Sequence, residues 1–392
     1  MTIGGSDAAT ELAAMERWRD TAPPIAPAEH EERIARAQEC VGRMGADALL
    51  VNAGPSLRYF TGVPWSATER LVALLIPANG RARCICPRFE LGSLAAAMAI
   101  DVEVLAWEED EDPVALVLGQ LRLGATLALD PLLPFATGAK LGVRVRVVDG
   151  AAAIDPLRAI KSPAELALLR QAKAMTLDVH RRAARILAPG IRASEVARFI
   201  DAAHRALGAS GATFCAVQFG RATAFPHGLP EDQVLEEDQL VLIDTGCTVE
   251  GYHSDITRTY AFGRVEDDAR IIWAVEQEAQ AAAFAAVRPG VPCAAIDDAA
   301  RAVLRQAGLG PGYRLPGLPH RTGHGIGLSI HEPPYLVRSD ATPLEPGMCF
   351  SNEPMIVVPD RFGVRLEDHF HVTPDGARWF TPPQPSIDRP FA

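Results

Sequence analysis

Four acidic residues in the C-terminal half sit inside or at the end of apolar, strand-like runs. LVLIDTG carries Asp244, HSDITRTYAF carries Asp255, MCFSNEPMIVV carries Glu353 and FGVRLEDHFHV carries Glu367. Strands that bury such residues together must pay for repulsion and desolvation unless cations compensate them. Two divalent ions, with His324 as the single nitrogen donor, are the economical explanation. The set points to a metal-dependent hydrolase.

Bulk properties narrow the class. A chain of 392 residues has material for two or three domains and a large core. The net charge of −11, with no basic stretch, argues against a nucleic-acid or anionic-membrane partner. Three lysines (Lys140, Lys161 and Lys173) stand against 35 arginines, a bias that fits a GC-rich genome. The seven cysteines are odd in number and form no C-x-x-C pair, so the expected compartment is the reducing cytoplasm. The first twenty residues have neither the basic nor the apolar region of a signal peptide. No apolar run approaches the ~20 residues of a membrane span.

The first 155 residues alternate a helical stretch (29–44) with short apolar runs at 48–51, 71–77, 83–87, 102–107 and 125–130. That is the pattern of an α/β layer domain. The acidic run Glu108–Asp112 reads as a solvated loop. Ser162-Pro163-Ala164-Glu165 is a capping box with proline at the first helical position. The apolar spacing Leu166, Leu169, Thr176, Val179, Ala183, Ile186 continues the helix until Pro189-Gly190. The expected division is a small α/β domain over 1–157 and a larger α+β domain over 158–392. Within the second, Ala188–Gly208 aligns without gaps to Arg288–Gly308. Asp244 and Glu353 lie 109 residues apart, and Asp255 and Glu367 lie 112 apart. Two similar halves would set the metals on a pseudo-twofold axis.

The glycines of TGCTVEGYHS suit a hairpin that folds Asp255 back beside Asp244. HRTGHGIGLSIHE (His320–Glu332) places three histidines around a glycine-rich bend, where a backbone can approach a metal or substrate closely. His227, in the turn TAFPHG, is a further candidate. Oxygen-rich ligation with one imidazole favours Mn²⁺, with Zn²⁺, Co²⁺ and Fe²⁺ as alternatives. Two such ions about 3.5–4 Å apart would bridge a water, lower its pKa and polarise a carbonyl. A ligand carboxylate can shuttle the proton to a leaving nitrogen.

RAIKSPAELALLRQA, LIDTGC, GYHSDITRTY, HRTGHGIGLSIHE, SNEPMIVV and GVRLEDHF, in this order, resemble the pita-bread metallopeptidases, and most closely the Xaa-Pro dipeptidases (prolidases). The resemblance covers essentially the whole chain and is looser in the N-terminal domain. It implies a creatinase/prolidase-like N-terminal domain and a pita-bread catalytic domain. It implies Asp244, Asp255, His324, Glu353 and Glu367 as ligands of two metals, with Glu353 as general acid/base. His227 and His331 would bind the scissile carbonyl, His320 would line the pocket, and Arg365 would support the site and contact substrate. A homodimer is also implied, with FTGVPWSATER (Phe60–Arg70), and Trp65 in it, reaching the partner's substrate site.

Two positions depart from that family's pattern. Val357 replaces a tyrosine four residues after the acid/base glutamate. Tyr335 stands where several dipeptidases carry an arginine that grips the substrate carboxylate, so weaker dependence on that carboxylate is expected. The expected reaction is hydrolysis of the bond before proline in Xaa-Pro dipeptides or short peptides, by a metal-bridging water. The alternatives are an Xaa-Pro aminopeptidase on longer peptides, an amide hydrolase of a small metabolite such as ectoine, and a non-catalytic binding module. Retention of all five ligands disfavours the last.

Overall fold

A computed structural model of the chain describes residues 3–391. The chain forms two compact units, one of Pro24–Arg158 and one of the described residues of Met1–Pro23 with Ala159–Ala392. No helix among the described residues is long and apolar enough to cross a membrane.

The Pro24–Arg158 unit is built on a mixed sheet of six strands: β1 (Ala48–Asn52), β2 (Ala73–Pro77), β3 (Arg83–Pro87), β4 (Glu103–Trp107), β5 (Thr126–Leu129) and β6 (Arg146–Asp149). Their spatial order is β4-β3-β2-β1-β5-β6. β1 pairs antiparallel with β2 and parallel with β5. Every residue of β1 is buried, as a central strand covered on both faces requires, and that is why its sequence is a continuous apolar run. The Pro27–Arg43 helix turns Ile34, Ala37 and Val41 inward. β6 is the largely exposed edge, and its four residues RVVD are too short and too solvated to form an apolar run.

The second unit has two similar halves. The first holds helices Pro163–Arg185 and Ala193–Leu207 and the strands β7 (Phe214–Phe219), β8 (Gln239–Gly246), β9 (Thr248–Val249), β10 (Tyr252–His253) and β11 (Ile256–Phe262). The second holds helices Asp267–Ala286 and Cys293–Gln306 and the strands β12 (Gly323–Gly325), β13 (Glu332–Leu336), β14 (Cys349–Asn352), β15 (Met355–Val358), β16 (Phe362–Arg365), β17 (Asp368–Thr373) and β18 (Gly376–Trp379). Sheet orders are β11-β8-β7 and β13-β12-β14-β17-β18. The capping box at Ser162 and Glu165 starts the first helix.

The repeat extends to individual hydrogen bonds. Gly190 N donates to Leu235 O and Gly290 N to Leu344 O, each at 2.8 Å. Leu235 N donates to Ile191 O and Leu344 N to Val291 O, each at 2.9 Å. Asp244 then follows Leu235, and Glu353 follows Leu344, by the same nine residues. Equivalent steps of the two halves thus deliver equivalent carboxylates.

Candidate metal centre

β8 and β11 pair antiparallel with Asp244 opposite Thr257. Between them the β9–β10 hairpin turns through Glu250 and Gly251, both with positive φ (48° and 77°). The chain therefore returns with Asp255 just ahead of β11, close to Asp244. An isolated bridge joins Thr257 to Glu367, which sits between β16 and β17. His324 is the middle residue of β12, which pairs with β14, and Glu353 directly follows β14. A Cβ on Gly323 or Gly325 would collide with the carbonyls of Ser351 and Glu332, so glycine on both sides lets β12 approach its neighbours. All five candidate ligands converge. Donor atoms of Asp244, Asp255 and Glu367 lie within 4.8 Å of one another, as do those of His324, Glu353 and Glu367.

The electrostatics fit a cation site. Burial, then repulsion from Glu367, Asp244 and Glu353, pushes the Asp255 carboxyl well above the usual range. Glu367 is raised the same way by burial, Glu353 and Asp244. Burial alone would also raise Glu353, but the charge and hydrogen bond of His324, with His320 and Arg365, hold it below the carboxylate range. His324 Nε2 lies 3.1 Å from Glu353 Oε1 and 3.8 Å from Asp255 Oδ2. Asp244 Oδ1, Asp255 Oδ1 and Glu367 Oε1 are buried without a hydrogen-bond partner. Buried carboxylate oxygens left unpaired are costly, and divalent cations are what such an oxygen-rich set accommodates.

Three residues that lie two positions from a candidate ligand support the site. Thr257 Oγ1 donates to Glu367 Oε2 at 2.7 Å. Ser351 Oγ donates to Glu353 Oε1 at 3.0 Å and accepts from His324 N at 2.9 Å. Arg365 forms an ion pair with Asp244 and donates through Nε to Thr257 Oγ1 at 3.0 Å.

The Asp255 segment is gripped from the Pro163–Arg185 helix. Glu165 accepts from Tyr252 OH at 3.0 Å, and Lys173 Nζ donates to His253 O at 3.0 Å. Thr176 shares a 2.6 Å hydrogen bond with Ser254, and His180 Nε2 donates to Ile256 O at 2.9 Å. Four polar residues on one helical stripe thus hold the residues flanking Asp255. Glu165 and Thr176 fall in the cap and the helical spacing legible in the sequence, but neither they nor Lys173 and His180 are marked there as partners of the Asp255 segment. A test for buried polar residues at the same spacing would have found them.

A model of metallopeptidase family M24 matches residues 167–374 of the chain, more than half its length. The chain belongs to metallopeptidase family M24. A creatinase/prolidase N-terminal domain model matches residues 33–160. The chain is 39% identical over 360 residues to a probable dipeptidase PepE of Mycobacterium tuberculosis, covering 89% of this chain and 93% of that one. Among solved structures, dipeptidase PepE from Mycobacterium ulcerans superposes with a TM-score of 0.85 at 38% identity, covering 92% of this chain and 97% of that one. A Xaa-Pro dipeptidase from Bacillus anthracis gives 0.80 at 27%, covering 90% and 98%. The fold is therefore the mixed α/β one of the prolidase structures, with an M24 pita-bread C-terminal domain.

The remaining expected residues divide by position in this M24 chain. His331 joins the centre: its ring lies 4.2 Å from that of His324, and one of its nitrogens falls within 4.8 Å of donors of His324 and Asp255. Burial, then the neighbouring His324 and Arg321, lowers it to about 4. His320 is half-buried and contacts Arg321 O through Nδ1 at 2.7 Å; burial lowers its pKa. Tyr335 is the β13 partner of His324. His227 lies exposed in its turn, outside the groupings formed by the five ligands and His331. Trp65 belongs to the Pro24–Arg158 unit and is half-buried there.

Proposed function

We propose that the chain hydrolyses the peptide bond before proline in Xaa-Pro dipeptides and short peptides, using two divalent ions. The observation that carries this reading is that Glu367 belongs to two of the three triads of convergent donors, one with Asp244 and Asp255 and one with His324 and Glu353. Asp244, Asp255 and Glu367 would hold one ion, and His324, Glu353 and Glu367 the other. Mn²⁺ suits the oxygen-rich set best, with Zn²⁺, Co²⁺ and Fe²⁺ as alternatives. When bound, the ions would supply Lewis acidity toward the scissile carbonyl and would lower the pKa of the attacking water.

The protein's own part is orientation and proton transfer. Glu353, fixed by Ser351 and kept ionised, takes a proton from the attacking water and returns it to the leaving proline nitrogen. His331 and His227 bind the scissile carbonyl, while His320 lines the pocket. Arg365 neutralises Asp244, supports the site and contacts substrate. The relatives called prolidase, Xaa-Pro dipeptidase and dipeptidase support the peptide substrate.

A homodimer in the cytoplasm completes the proposal. Leu123, Phe135 and Val143 of the Pro24–Arg158 unit are 97%, 89% and 79% exposed, and that apolar surface suits a second copy. Trp65 would then reach the partner's substrate site. All seven cysteines are free thiols, in keeping with a reducing compartment. The test is metal-reconstituted turnover of Ala-Pro, Ala-Pro-Ala and Ala-Pro amide side by side. Cleavage of none of the three would refute the proposal, and light scattering that finds a monomer would refute the dimer.

A further inference from the structure

The guanidinium of Arg321 has no carboxylate partner among the described residues, unlike the buried arginines of this unit. Arg258 pairs with Asp368, Arg301 with Asp297 and Arg365 with Asp244. Arg321 is half-buried, and its Cζ lies 4.5 Å from the centre of the Tyr335 ring. Tyr335 is the register partner of His324 across β12 and β13. Directly opposed residues of an antiparallel pair project from the same face, so the Tyr335 ring shares a face with the His324 imidazole. Arg321 is also near enough to depress both His320 and His331 electrostatically. A guanidinium stacked on an aromatic face is weakly hydrated and keeps its planar fork ready for a carboxylate.

We infer that Arg321, laid against Tyr335, is the specificity-determining residue that binds the free C-terminal carboxylate of a dipeptide at this site. The inference rests on the peptidase reading above, because the ligand must lie along the His320–His331 wall. Only a dipeptide puts a carboxylate one residue beyond the bond to be cut, about 3.5 Å of chain away. A longer peptide places a neutral amide there, which gains less from a cation. The residue at position 335 thus acts as a platform for a cation from position 321. This replaces the expectation, drawn from Tyr335 alone, that dependence on the carboxylate is weak.

The test reads binding apart from turnover. An uncleavable Ala-Pro, with a methylene in place of the scissile carbonyl, and its C-terminal amide are titrated calorimetrically into metal-loaded protein. The free acid should bind about tenfold tighter than the amide. Arg321→Met should weaken the acid about tenfold and leave the amide unchanged, bringing the ratio near one. Arg321→Lys should retain part of the preference, and Tyr335→Phe, which keeps the ring, should retain all of it. Arg321→Gln serves the same purpose if the methionine variant does not fold. A preference that survives both neutral variants, equal binding of acid and amide by the unmodified protein, or no binding of either ligand would overturn the assignment. Loss of the preference in a protein that nonetheless fails to cleave Ala-Pro would support Arg321 while removing the proposed reaction.

Discussion

Thr257 Oγ1 donates to Glu367 Oε2 at 2.7 Å while accepting from Arg365 Nε at 3.0 Å. One hydroxyl therefore fixes the carboxylate common to the Asp244/Asp255 and His324/Glu353 donor groups and links it to the arginine that pairs with Asp244. Outer partners of this kind set ligand orientation. Thr257→Val, which keeps the shape and removes the bond, should weaken metal binding about 10–100-fold, and Thr257→Ser should restore most of it. Competition against a chelating dye measures this. Equal affinity in the valine variant would mean that Glu367 is held by something other than Thr257.

Arg258 and Asp368 form a fully buried pair at 2.7 Å, and Arg258 also donates to Glu367 O at 2.9 Å. Removing the acid alone strands a buried cation. Asp368→Ala should cost about 3–5 kcal/mol in denaturant unfolding of the metal-free protein, and replacing both partners by apolar residues should cost less. A double variant less stable than either single one would contradict this view of the pair.

His204 gives a pH dependence with a definite sign. Its Nδ1 contacts Ile200 O at 3.0 Å and must donate there, so in the neutral ring Nε2 accepts from Thr176 OH at 3.1 Å. That direction makes Ser254 the donor to Thr176, next to Asp255. Burial lowers His204 from 6.5 to about 4. A base depressed in the folded state gives its full stabilisation above pH 6.5 and loses it as pH falls toward 4. The stability advantage over His204→Asn should shrink by about 3 kcal/mol between pH 7 and pH 4. An advantage that stays constant across this interval would show that the ring is not held neutral.

Much of the centre could be read from the sequence because its carboxylates sit in or at the ends of strands, and buried strands announce themselves as apolar runs. Asp244, Asp255, His324, Glu353 and Glu367 converge for that reason. The hairpin between the two aspartates was likewise legible from its glycines. What supports them was not. Lys173 and His180 are buried polar residues on a helix whose sequence signal is its cap and its largely apolar spacing. Arg321 meets Tyr335 through β-pairing across a glycine-rich bend, a register no local pattern specifies. β6 escaped because an exposed edge strand needs no apolar alternation.

The central claim is that Glu367 joins two ion sites, and metal stoichiometry tests it most directly. Protein reconstituted with Mn²⁺ and freed of excess should carry about two ions per chain by elemental analysis, and cleavage of Ala-Pro should vanish on exhaustive chelation. Glu367→Ala should lower binding at both sites, whereas Asp244→Ala should spare the site built on His324 and Glu353. A single ion per chain, or full turnover in the chelated protein, would contradict the shared-ligand centre.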